Sequence, residues 1–571
     1  MNFLKKQFNI IIIIFTLILL FLNITDWKIG FLGWFLFIVY LLSLGKWWQE
    51  ILRRVFSMNR KTWMTRLFSW FIVFSLLGFL ASIDIVFYKL TNFLIWIVYV
   101  DVAVLTGLIY VWLYKKRAHS KEAKESASNK NLILFSNSIF LLITYLVVWS
   151  AGFILLLRSK SSDALMSPWQ GISEYYLPVF FVLTILSGLF LFSKYKSKVI
   201  LFVFVLQSLL LHSYLPLSHE MPWGGDVWRH VAVERQIQAE ESILPVLIGP
   251  EAEWEEVIKM DFPKVFLAPQ KYSYGHLWGT SVLLAETLQV DLISINRWLL
   301  PIVWSLVMPF VLFRIGYLLF GSKRKGLWLV WLSFLPFPFQ ALGAFTLPVS
   351  FGYMFFLFSL MLWLQYLRDG NKYQKYLVVF FSILMLFGYS LAFILIWLVI
   401  LISWVLNKIL GEKFYIARDK VGKFVWQALL FGSLTFVFPI IELVSGISYV
   451  PYKIEWWNNL KQLLGQFTGW FYASTIRPHD ILSGNILFNH TPDYAYVASI
   501  FNTWRWWLIP FVILIWSLVK FGFFKALKDN LTWKVMLGLV YTVFGGYIIG
   551  WFILSGDRLL TRRMDLMLAF L

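Results

Sequence analysis

Cysteine is absent from all 571 residues. Disulfides, thiol nucleophiles and cysteine-held metals are thereby excluded. Charge is scarce too: 14% of residues are charged against 60% hydrophobic, well short of the roughly 25% charged residues usual in soluble domains. The motifs of soluble enzymes are also missing. There is no P-loop, no dinucleotide fingerprint, no HExxH and no GxSxG. Acids are fewer than bases, 30 against 50, for a net charge of +20. This excess does not point to nucleic acid, because it sits in short loops between apolar runs.

What the chain has in quantity is apolar runs of about 20 residues, the length that crosses a hydrocarbon core of about 30 Å. The expected fold class is an all-α polytopic membrane protein. Lys5 and Lys6 precede an apolar run at 8–22. No small-residue cleavage site follows, so this run is read as a retained first span. Basic segments 46–66 and 115–130, with Lys194, Lys196 and Lys198 after them, mark cytoplasmic turns by the positive-inside rule. The N-terminus is then inside, and the expected location is the cytoplasmic membrane. Six spans are expected near 8–24, 29–45, 67–88, 92–113, 132–157 and 176–193, and a seventh near 199–216. Further spans are expected near 297–320, 327–344 and 348–367. The 30-residue apolar run 377–406 has basic residues on both flanks, which demands an even number of crossings, so it is split at Gly388-Tyr389-Ser390. The alternative makes 272–291 a crossing and 377–406 one long helix; otherwise 272–291 reads as an amphipathic helix on the outer surface. Spans near 425–445, 507–520 and 535–554 complete the set. The apolar run at the end of the sequence is too short to cross, so at least one further span is expected beyond residue 571. Three regions follow: 1–198, 199–445 including an acidic outer loop 217–296, and 446–571 with an aromatic outer segment.

The acids that do occur are concentrated. Residues 218–271 hold ten acids and five bases, a net −5 between two hydrophobic regions. Ionisable clusters beside spans are functional candidates. Near the start stands Gly224-Gly225-Asp226, a turn leading into a helix. Asp226 and His230 share one helix face at i, i+4; Glu234 extends it, and Arg229 and Arg235 lie to its sides. Two readings stand side by side: Asp226 as a reactive carboxylate, or Asp226 as an N-cap on a solvated helix.

The order of features after the seventh span resembles the GT-C superfamily of membrane glycosyltransferases, which use polyprenyl-phosphate-linked sugars. The matching positions are Asp226 and His230 in a G-D-x-x-x-H-like pattern, the segment Lys271-Tyr272-Ser273-Tyr274-Gly275-His276-Leu277, the arginine-led span at Arg297, and a short basic turn within 313–339. The resemblance covers roughly 199–571 and leaves 1–198 as an added six-span block. Two departures stand out. Ser273-Tyr274 replaces the prolines of the family's Y-P-P-L pattern, and the loop 341–351 lacks the second acidic motif that some members carry.

The resemblance implies sugar transfer from a polyprenyl-phosphate donor to an acceptor hydroxyl on the outer face. The acceptor would be a saccharide, lipid or protein, and the other partners membrane lipids. On residue chemistry, such a reaction needs a carboxylate to take the acceptor proton, for which Asp226 with His230 is the candidate. It needs cations for the leaving phosphate, with Arg229, Arg235, Lys271, Arg477, Arg558, Arg562 and Arg563 as candidates. Tyr272, His276 and the intramembrane acid Glu442 are further cavity candidates. Trp456 and Trp457 serve either as a sugar platform or as an interfacial belt, and Arg562-Arg563 either as a phosphate clamp or as a lipid anchor. No cofactor and no metal site are expected. A transporter or flippase of lipid-linked saccharides, or a polysaccharide polymerase or ligase, are the alternatives.

Overall fold

The computed structural model describes residues 2–56, 63–115, 139–162, 171–222, 225–257, 260–334, 342–410, 420–460, 463, 531–556, 558, 560, 561, 563 and 564. In chain order the helices are α1 (Asn2–Leu22), α2 (Gly30–Val55), α3 (Trp63–Phe87), α4 (Asn92–Lys115), α5 (Ile139–Arg158), α6 (Tyr176–Leu189), α7 (Ser197–His212), α8 (Tyr214–Ser218) and α9 (Gly225–Gln238). Strands β1 (Trp254–Val257) and β2 (Met260–Pro263) follow. Then come α10 (Pro269–Leu288), α11 (Leu292–Phe320), α12 (Lys323–Leu332), α13 (Pro348–Asp369), α14 (Lys372–Gly388), α15 (Ser390–Leu410), α16 (Lys420–Leu434) and α17 (Val437–Val444). Strand β3 (Ser448–Tyr449), α18 (Leu531–Ile553) and strand β4 (Ser555–Gly556) close the described chain.

Among the described residues, nine helices are long and apolar enough to cross a membrane: α1 to α5, α11, α13, α15 and α18. The protein is a polytopic membrane protein built almost wholly from helices. The run 377–406 divides where the charge pattern placed the break, with α14 ending at Gly388 and α15 starting at Ser390. The expected span 425–445 is broken instead, because α16 and α17 meet at a 40° bend. Pro439 lies in the first turn of α17 and has no N–H to continue the α16 ladder, so the helix restarts there. Segment 507–520 lies outside the described residues.

Two compact units emerge. The first comprises residues 1–134, 225–311 and 345–394. Its centre is α10, packed on α3, α14 and α2. This differs from the surface helix that low hydropathy implied. The reason is a row of small residues on α10 (Ser273, Gly275, Gly279, Thr280 and Ser281) that lets backbones approach. A Cβ at Gly78 of α3 would stand 2.0 Å from Thr280 Oγ1, so no larger residue fits there. Polar contacts fix the remaining side: Tyr99 Oη and Thr287 Oγ1 are 2.9 Å apart, and Tyr40 Oη donates to the Tyr99 carbonyl at 2.6 Å.

The second unit comprises residues 135–224, 312–344 and 395–571. In it α5, α6, α7 and α12 share a buried polar thread. Tyr145 donates to Gln207 Oε1 (3.1 Å), Gln207 Nε2 to Thr184 Oγ1 (3.0 Å) and Trp331 Nε1 to the Thr184 carbonyl (2.8 Å). The short turn between α11 and α12 closes on Gly321, whose φ of +66° lies in the left-handed region that favours glycine.

Candidate active site

Helix α9 buries Val227, Val231, Glu234 and Ile237, a helical stripe that docks on α10. The two helices run parallel: His230 meets Tyr274 and Trp278, Glu234 faces Ser281, and Gln238 donates to Glu286 Oε1 at 2.7 Å. Parallel neighbours need a return excursion, which residues 239–268 provide. That excursion carries the acidic island, including an antiparallel hairpin in which Glu255 pairs with Phe262 and Glu256 with Asp261. It is tied back by Leu247 and Ile248 N–H groups on the Phe87 carbonyl, both 3.0 Å, and by Asn92 N–H on Glu240 Oε1 at 3.1 Å.

The three residues of the predicted face have three different surroundings. Asp226 lies in the first turn of α9, partly exposed at 27%, with the 85%-exposed Arg229 guanidinium 3.5 Å away. His230 is half-buried. Its Nδ1 accepts the Trp278 indole N–H at 3.1 Å, and the Tyr274 ring lies 5.2 Å away, edge-on. Burial, with Arg229 beside it, pushes the His230 pKa down to about 4. The ring is therefore neutral at physiological pH, and with Nδ1 accepting, Nε2 carries the hydrogen and can donate.

Glu234 is fully buried. Its Oε2 accepts from Asn296 Nδ2, and burial pushes its pKa up to about 8 against the opposing effects of Asn296 and Ser281. The Ser281 hydroxyl faces the carboxylate but falls short of full hydrogen-bond geometry, leaving Glu234 Oε1, Ser281 Oγ and Asn296 Oδ1 without partners among the described residues. Tyr274 enters the sequence reading only as part of the 271–277 segment, and Trp278 and Ser281 are not singled out by it. The i, i+4 spacing of Tyr274 and Trp278 is the one signal that links those two.

The other predicted residues are placed as follows. Arg235 is exposed in the last turn of α9, where a cation complements the helix dipole. Lys271 is buried and donates Nζ to the carbonyls of Ile243 and of Pro245, the latter at 2.7 Å; burial pushes its pKa down to about 8. It ties down the excursion. The Tyr272 ring lies 5.6 Å from Phe387 and 6.4 Å from Phe87. His276 is fully buried, with Nε2 donating to the Ser75 carbonyl at 3.1 Å and Phe355 at 4.9 Å. These three side chains serve the packing of α10.

In the second unit, Glu442 of α17 is fully buried. It accepts the N–H groups of Leu560 (2.5 Å) and Thr561 (2.9 Å) through Oε1 and the Thr561 hydroxyl (2.6 Å) through Oε2. Arg558 is turned inward: Nε donates to the Leu554 carbonyl at 2.6 Å, and the guanidinium lies 4.7 Å from the Trp551 ring. Its backbone N–H donates to Ser448 Oγ at 3.1 Å, next to the β3–β4 pair. Trp456 packs at 5.8 Å from Phe552 and is 58% exposed. Arg563 is described, and Arg477 and Arg562 lie outside the described residues.

Glu442 thus caps the start of the terminal basic segment, which yields a prediction. Glu442→Ala leaves two backbone donors and a hydroxyl unsatisfied, at about 1–3 kcal/mol each. It should lower the thermal midpoint of the purified protein clearly, whereas Glu442→Gln should be near neutral because its carbonyl still accepts both N–H groups. Equal loss in the two variants would show that charge, not capping, is what matters.

No protein-family model, curated protein or solved structure matches this chain.

Proposed function

We propose that the protein is an integral-membrane glycosyltransferase of GT-C type, moving a sugar from a polyprenyl-phosphate donor to an acceptor hydroxyl at the outer face of the cytoplasmic membrane. The observation that carries this reading is the environment of Asp226. Its carboxylate is partly open at the free end of a helix whose other turns are clamped onto α10 and α11. In the proposed step Asp226 takes the proton of the acceptor hydroxyl. The acceptor oxygen bonds to the anomeric carbon, the bond from that carbon to the phosphate oxygen breaks, and the lipid phosphate leaves with the bonding pair. Arg229, 3.5 Å from Asp226, is the cation offered to the developing charge. His230 offers its Nε2–H to a sugar hydroxyl, and Tyr274 and Trp278 hold its ring in place. The missing second acidic motif argues for a reaction that runs without a bridging pair of acids.

A lipid-linked-saccharide transporter is the second reading, favoured by one observation. Glu234 is a fully buried, protonatable acid at the junction of α9, α10 and α11, a type of residue that proton-coupled carriers use. Purified protein incubated with a panel of radiolabelled polyprenyl-phosphate sugars separates the two. The enzyme releases sugar to acceptor or water. Intact donors across the panel, together with donor movement in sealed vesicles, would establish the transporter.

A further inference from the structure

Within the first unit, α2, α3, the end of α10 and α11 enclose a groove of about 410 Å³, inside the range of small-molecule sites, about 300–1,000 Å³. Phe37 of α2, Phe71 and Phe74 of α3, and Trp298 of α11 form its walls. None of the described lining residues is charged, and Ser294 alone carries a hydroxyl. Water gains nothing in such a space, since it finds no set of polar partners there. The lip is formed by Trp34, Ile302 and Leu306, which are 46%, 40% and 42% exposed. The groove is therefore continuous with the lipid-facing sides of two spans and opens sideways. Along α11 the lining runs from Ser294 to Val307, about 20 Å at 1.5 Å per residue. That exceeds one leaflet of a hydrocarbon core about 30 Å thick.

Charge at the open end narrows the choice of lipid. The groove ends at Val290 and Ser294, beside Asp291, whose Oδ1 accepts the Ser294 N–H at 2.9 Å. The turn before α2 carries Asp26 and Lys28, and Gly30, the first residue of α2, sits against the Leu288 carbonyl. Arg297 stands off the lining face, which follows positions 295, 298, 299, 302, 303 and 306. Two acids and one base do not attract a lipid that ends in a bare phosphate; they suit a headgroup that brings its own ammonium. We propose that this groove binds one acyl chain of a zwitterionic glycerophospholipid of the phosphatidylethanolamine type, distinct from any lipid-linked sugar donor. The inference is independent of the enzymatic reading.

The test uses the full chain in nanodiscs. One set contains phosphatidylethanolamine bearing a diazirine in its acyl chain, the other a diazirine polyprenyl phosphate. After illumination, labelled peptides are mapped. The acyl probe should label the α2, α3 and α11 lining severalfold above Ile143 and Val147, exposed positions on α5. Ile302→Trp and Leu306→Trp narrow the entrance and should lower groove labelling while α5 labelling is unchanged. Leu306→Phe is the milder variant should either fail to insert. Groove labelling no greater than that of α5, preferential capture of the polyprenyl phosphate probe, or labelling indifferent to the substitutions would each overturn the proposal.

Discussion

Asp226→Asn is expected to insert and fold like the parent and to lose transfer activity by a factor on the order of 10²–10⁴, the range for a positioned general base. The structure makes the two effects separable. Asp226 sits within the first turn of α9, where its charge contributes about 0.3–1 kcal/mol through the helix dipole. Its pairing with an exposed Arg229 adds at most about 1 kcal/mol. Asn therefore costs little in stability, and a large fall in rate cannot be assigned to unfolding. Arg229→Ala serves as the companion: removing a cation near the leaving group should slow transfer without shifting the thermal midpoint. A lipid-linked-sugar transfer assay on the three proteins decides the matter. Parent-like transfer by Asp226→Asn would falsify the proposed mechanism and leave the residue as a helix-end charge.

The second large effect concerns Glu234 and pH. Burial raises its pKa from the ordinary 4.5 to about 8, so the folded chain holds this proton more tightly than the unfolded chain does. By linkage the contribution is fully present below about 4.5 and is lost as pH rises to about 8. At about 1.4 kcal/mol per pKa unit, this amounts to several kcal/mol. Protonation also accounts for two of the three orphaned oxygens: an O–H on Oε1 gives Ser281 Oγ a donor while Oε2 continues to accept from Asn296. Glu234→Gln reproduces that pattern without a titrating group. Its thermal midpoint should match the parent near pH 4.5 and exceed it progressively up to pH 8. Parallel midpoint curves for the two proteins across this range would refute a buried neutral acid.

The legible parts of the fold are those governed by lipid and charge. The break at Gly388-Tyr389-Ser390 follows from counting basic flanks, and the helix does end at Gly388 and restart at Ser390. The α9 face was legible from i, i+4 spacing, although the spacing could not tell that Asp226 is partly open, His230 held by an indole and Glu234 enclosed. That gradient arises because α9 is held to α10 and α11 from His230 through Gln238, whereas the Asp226 carboxylate stands in the first turn, 3.5 Å from an exposed Arg229. The place of α10 was misread for a physical reason. Hydropathy averages over a helix whose fit depends on small residues meeting small residues, and Gly275, Gly279 and Thr280 carried that signal unused. Lys271 and Glu442 illustrate a different obstacle. Each satisfies backbone groups far along the chain, Ile243 and Pro245 in one case, Leu560 and Thr561 in the other, and nothing in residue type forecasts a main-chain partner.

The placement of α10 also bears on the order in which the protein is made. Lys271, His276 and Glu286 keep this helix off the set apolar enough to cross a membrane by itself among the described residues, so it depends on its neighbours for a seat. Its seat on α2 and α3 is synthesised before it, whereas α14, its other wall, emerges only after α11 and α13. During that interval α10 rests on its glycine contacts with α3 and on the earlier-made Tyr99, His230 and Gln238. A substitution at Gly78 would therefore act first on biogenesis, leaving an unseated helix for quality-control proteases, before it could affect the finished protein.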